Sequence, residues 1–114
     1  MCDIDIRAHK LADLIRIVRS ASSLSVVKYV LLYGSTARGD FDYDSDIDVM
    51  LIVEDCVKRP IDSVYALEDL LGAKVWEAPT VDIHAMRKTQ FNTLDMEEPF
   101  NRNLHKEAKV LWRR

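Results

Sequence analysis

The chain has only two cysteines, Cys2 and Cys56, and their separation fits neither a metal-binding nor a disulfide framework. Unpaired thiols suit a reducing compartment, so a cytoplasmic location is expected. No stretch approaches the ~20 consecutive apolar residues of a membrane-crossing helix. A secretory leader is not expected, because Asp3, Asp5, Arg7, His9 and Lys10 interrupt any apolar run. A basic excess is also missing: 16 Lys and Arg against 19 Asp and Glu leave a formal net charge of −3. General nucleic-acid binding, which needs a basic face to displace counterions, is therefore not expected. Residues Asn103 to Arg114 are basic, and read as a solvated end. Repeats, low-complexity segments and dividing linkers are absent, and 114 residues make one domain, 1–114.

What is present alternates between helical and strand periods. Leu11, Leu14, Ile15, Val18 and Ala21 share a helical stripe, which predicts a helix from about residue 6 to 22 with Asp5 as N-cap. Val26 to Tyr33, β-branched and aromatic, reads as a buried strand, and Ile47 to Val53 as a second. Pro60 fits the first turn of a helix carrying Ile61, Val64, Leu67, Leu70 and Leu71, which Gly72 stops. Thr80 to Met86 reads as a third strand and Pro99 to about Ala108 as a last helix. Val110 to Trp112 suggests a short edge strand. This order predicts a small α/β or α+β fold, a mixed sheet with helices packed on it.

The most informative stretch is YVLLYGSTARGDFDYDSDIDVMLIV. Gly34 ends the first strand, where a glycine lets the backbone turn sharply and approach a ligand. Ser35, Thr36 and Ala37 follow as the first turn of a short helix, whose free N–H groups and dipole attract anions. The Ser35 hydroxyl adds a donor, and Arg38 either adds charge from the next turn or braces the loop. Asp46 and Asp48 are two residues apart at the start of the second strand, so their carboxylates share a face. Two such charges ~4 Å apart repel by roughly 4 kcal/mol at an effective dielectric near 20. A divalent cation turns that repulsion into coordination. Asp82, between Val81 and Ile83, is out of place in a plain core. If its strand adjoins the second, three carboxylates converge, two to hold metal and a third to complete a second metal site and accept a proton. This is the arrangement of two-metal phosphoryl chemistry.

Other phosphate and metal motifs fail. A Walker-type loop needs Lys-Ser/Thr where Asp40-Phe41 follows Gly39. An EF-hand starting at Asp42 would have Ile47 in place of its glycine and Val53 in place of its glutamate. Asp40, Asp42 and Asp44 then read as solvated loop carboxylates. His84 shares the face of Asp82, but a histidine near a strand end is more often structural. His105 and Lys109 could reach a triphosphate from the last helix, although their spacing does not require it. Trp76 and Trp112 read as packing residues.

Gly34-Ser35, ten residues, then Asp46-x-Asp48 resembles the signature of the minimal nucleotidyltransferases, small members of the DNA polymerase β superfamily. The flanking Ala37-Arg38-Gly39 and Ser45-Asp46-Ile47-Asp48 agree with it, and the closing HKEAKVLW resembles the end of many such chains. The resemblance implies a polymerase-β-like nucleotidyltransferase fold. It also implies that Gly34 and Ser35 hold nucleotide phosphates, Asp46 and Asp48 bind Mg²⁺, and Asp82 is the third acidic residue. ATP would be the substrate. In that family many members pair with a small helical HEPN-type protein, and some act as antitoxins that transfer AMP to a tyrosine of that partner. The expectation is a Mg²⁺-dependent nucleotidyltransferase acting on a partner protein within a toxin–antitoxin pair. Two alternatives stand beside it: a non-catalytic nucleotide-binding subunit that neutralises a partner by occlusion, and transfer to a small molecule such as an aminoglycoside. The residues leave homo-oligomerisation, the nucleotide and the number of transfers open.

Overall fold

A computed structural model describes residues 3–34, 37, 46–77 and 80–114, with the backbone alone for residues 3–10, 74 and 100. Helix α1 spans Asp3–Ser22, strand β1 Val27–Tyr33 and strand β2 Ile47–Val53. Helix α2 spans Ile61–Leu71 and runs into a 3₁₀ turn at Gly72–Trp76. Strand β3 covers Val81–Arg87, followed by the short helix α3 (Lys88–Asn92), helix α4 (Pro99–Glu107) and strand β4 (Lys109–Arg113). The fold is α+β, as expected.

The four strands form one sheet in the order β3-β2-β1-β4. β1 pairs antiparallel with β2 and β4, whereas β2 and β3 run parallel, joined through α2. Buried on both faces, β1 and β2 read as near-continuous apolar runs, VKYVLLY and IDVMLIV. Alternation still divides their side chains. Val30, Leu32, Val49, Leu51 and Ile83 face α1 and α2, packed with Ile17, Ala21, Val64 and Leu67. Leu31, Tyr33, Met50, Ile52 and Met86 face the opposite side, where Leu104 of α4 covers them together with Phe91 and Leu94. The site lies at the end of the sheet where β1 finishes and β2 and β3 begin.

Polar contacts fix the connections. The Arg16 guanidinium donates to the Leu71 carbonyl at 3.1 Å, tying α1 to the end of α2. Gly72 has φ +63° and its N–H donates to the Glu68 carbonyl, so glycine stops α2 by entering the left-handed region. Asp55 receives the Thr89 N–H at 2.9 Å and also the Thr89 hydroxyl, which satisfies a free donor in the first turn of α3. These bonds hold the Asp55 carboxyl below its ordinary range. Arg114 donates to the carbonyls of Ser22, Leu24 and Val27, closing the chain end onto the turn between α1 and β1.

Several expectations need correction. Asp5 is not the N-cap, because α1 already begins at Asp3, three residues earlier than its apolar stripe suggests. That stripe does not all enter the core: Leu11 and Ile15 are 56% and 45% exposed, and the fully buried α1 residues are Ile17 and Ala21. Trp76 is 76% exposed instead of packed, while Trp112 does pack against the α1 side of the sheet. The 3₁₀ turn and α3, each five residues, are additions to the expected order.

Candidate functional site

At the C-terminal end of β1, Tyr33 pairs with Asp48 across the antiparallel ladder. Across the parallel ladder, Asp48 lies in register with Asp82. One transverse row therefore carries Tyr33, Asp48 and Asp82 on three adjacent strands. The condition set on β3 is met, since it adjoins β2.

Gly34 follows Tyr33 with φ +72°. A Cβ built on Gly34 would stand 2.2 Å from Asp48 Oδ2. The bend and the carboxylate thus touch, and a larger residue at position 34 requires the Asp48 carboxylate to move. Ala37, three residues on, is buried against the α1 side of the core. Ser35, Arg38 and the aspartates at 40, 42 and 44 lie outside the described residues.

Asp46 precedes β2 and is exposed; Asp48 is half-buried. The Thr80 hydroxyl donates to Asp46 Oδ1 at 2.6 Å, and the Ile47 N–H donates to the Thr80 carbonyl at 2.9 Å. Thr80 thereby holds the first carboxylate from the neighbouring strand. Among the described residues, no three His, Cys, Asp or Glu side chains converge tightly enough to hold a metal ion by themselves.

Two residues not assigned to the site by sequence reasoning belong to its surroundings. His84 Nε2 is 3.3 Å from Asp82 Oδ2, with both side chains about half exposed, so its setting is the carboxylate row and not the core. The signal was available in the alternation of Val81-Asp82-Ile83-His84, which puts 82 and 84 on one face. Tyr33 lies 6.5 Å from the His84 ring, centre to centre. Its phenol is held far above the ordinary tyrosine range, first by burial and then by the negative charges of Asp48 and Asp82. It stays protonated at any physiological pH.

The two other residues weighed earlier stand elsewhere. His105 stacks on Phe91 with ring centres 4.7 Å apart and planes 10° from parallel. Lys109 pairs with Leu32, whose side chain faces α1, so Lys109 belongs to the opposite face from the carboxylates. No described helix is long and apolar enough to cross a membrane.

The fold has solved counterparts. A crystal structure of a candidate nucleotidyltransferase from Sulfolobus solfataricus superposes with a TM-score of 0.66 at 22% identity, covering 97% of this chain and 86% of that one. A toxin–antitoxin complex with AMP-PNP gives 0.60 at 18% identity, over 89% and 73% of the two chains. A double Asp-to-Glu variant of the toxin–antitoxin pair MntA–HpeT gives 0.54 at 16% identity, over 90% and 72%. No curated protein sequence matches the chain. The nucleotidyltransferase domain family matches residues 11–111, nearly the whole sequence, and the chain belongs to that family.

Proposed function

We propose that this single-domain chain is a Mg²⁺-dependent adenylyltransferase. It transfers AMP from ATP to a tyrosine hydroxyl of a partner protein, as the antitoxin of a toxin–antitoxin pair. The observation that carries this reading is the Gly34 bend seated directly on Asp48, with Asp82 in register beside it. Phosphates held at the bend meet carboxylates at once.

Gly34, Ser35 and Arg38 bind the nucleotide phosphates, and Asp46, Asp48 and Asp82 supply hard oxygen donors suited to Mg²⁺. Magnesium is ordinarily held by one or two carboxylates together with substrate phosphates, which accords with described side chains that form no closed cage alone. When bound, Mg²⁺, in a two-ion site, neutralises phosphate charge and lowers the pKa of the attacking hydroxyl. Thr80 holds Asp46 through its hydroxyl. The acceptor oxygen attacks the α-phosphorus, the bond to the β-phosphate oxygen breaks, and pyrophosphate leaves. Asp82, the most open of the row, takes the acceptor's proton.

Two of the structural relatives are toxin–antitoxin proteins, one of them with an ATP analogue. The two aspartates replaced in MntA–HpeT are two positions apart, the spacing of Asp46 and Asp48. A small helical HEPN-type protein is the partner to test first. Purified chain, α-labelled ATP, Mg²⁺ and that partner should yield a labelled partner carrying AMP on tyrosine. Unlabelled partner despite nucleotide bound to the chain would refute the transfer. Neutralisation surviving Asp48→Asn would point to occlusion instead.

A further inference from the structure

Helix α1 has two apolar stripes. Ile17 and Ala21 enter the core, whereas Leu11, Leu14, Ile15 and Val18 border a groove of about 360 Å³ that is closed on its far side by Leu111 of β4. Among the described residues, Arg19 is the other lining residue. Leu11, Leu14 and Val18 recur at spacings of three and four, with Ile15 beside them, the pattern of a helix that packs against another helix. Here the second helix is not part of the described fold, and Leu11 and Ile15 stay about half exposed.

Charge around the groove selects the occupant. Arg19 lines the groove, and Lys109 pairs with Leu32 on the α1 side of the sheet. Lys109 and Arg113 bracket β4, an edge strand, and both are exposed. The Arg114 guanidinium lies over the Trp112 ring at 4.9 Å.

We propose that the groove between α1 and β4 binds an amphipathic helix of a partner protein, with its apolar stripe on Leu11, Ile15, Val18 and Leu111 and acidic side chains opposite Arg19 and Lys109. Helix-in-groove recognition of this kind uses anchors at i, i+3, i+4 and i+7. The site lies on the opposite face from the carboxylate row, and the proposal stands whether or not the chain transfers nucleotides.

The test uses two synthetic helices that share one leucine stripe, one flanked by glutamates and its twin by lysines, titrated against the full chain by fluorescence anisotropy. The glutamate helix should bind at least about tenfold more tightly than its twin. Its affinity should fall about tenfold or more with Ile15→Glu and with Arg19→Glu, and should weaken as salt rises. Equal binding of the twins, no binding of either, or glutamate-helix binding untouched by Ile15→Glu would overturn the proposal. Sedimentation showing self-association that Ile15→Glu abolishes would also overturn it, giving the groove to a second copy. Should Ile15→Glu unfold the chain, Leu11→Gln, at a more exposed position, provides the same readout.

Discussion

Gly34 packs directly on Asp48: a Cβ on the glycine would be 2.2 Å from Asp48 Oδ2, so any side chain there displaces the carboxylate. Gly34→Ala should therefore act twice. The positive φ costs roughly 1–2 kcal/mol for an L-residue, and Asp48 must also swing aside. Nucleotidyl transfer should fall at least tenfold, with a lower melting temperature. An alanine variant with unaltered turnover would show that the bend tolerates displacement of the carboxylate.

Asp48→Asn and Asp82→Asn should each reduce transfer by a hundredfold or more while stability changes by less than about 1 kcal/mol. Each removes one of two like charges paired in register, so the fold loses no attraction between them. Thermal unfolding beside turnover checks both halves. Wild-type turnover in either variant would remove that carboxylate from the chemistry.

Thr80 reaches across from the start of β3 to Asp46 Oδ1. Groups that orient a metal-binding carboxylate typically matter by ten- to hundredfold in metal affinity. Thr80→Val keeps the shape and removes the donor, so the Mg²⁺ concentration for half-maximal activity should rise about tenfold. Serine at the same position should restore it. Failure of serine to do so would mean that the hydroxyl alone does not hold the carboxylate.

Asp55 offers a stability prediction away from the site. Hydrogen bonds from Thr89, its hydroxyl first, hold the carboxyl below the ordinary aspartate value near 3.8. A depressed carboxylate contributes stability above the unfolded value, and the contribution disappears as pH falls through the folded one. Asp55→Asn should be less stable than wild type at neutral pH, and the two should converge below about pH 4. Unfolding by denaturant across pH measures the gap. A gap that persists unchanged into strong acid would assign the effect to shape and not to charge.

Much of this arrangement was legible in the chain because strands with strong patterns carry the site. The runs around Tyr33 and Asp48 are too apolar and β-branched to be anything but buried strands. Asp82 stood out because Val81 and Ile83 on either side are core residues. His84 carried the same signal two residues later, but a lone histidine has too many structural uses to be assigned by pattern. Helix α3 and the 3₁₀ turn are too short for a hydrophobic period to register. The α1 error has a different cause: Leu11, Ile15 and Val18 form a regular stripe, and periodicity reports that a helix has an apolar face without saying what covers it. Trp76 misled similarly, since size and hydrophobicity do not guarantee burial.

The antiparallel pairing of Tyr33 with Asp48 has a consequence for how such a chain can diversify. The ladder itself sets the separation of the bend and the carboxylate. Residues joining β1 to β2 can thus change in length and composition without retuning that distance. Specificity for nucleotide or acceptor is free to drift in the connecting segment while the reactive pair stays anchored to the sheet.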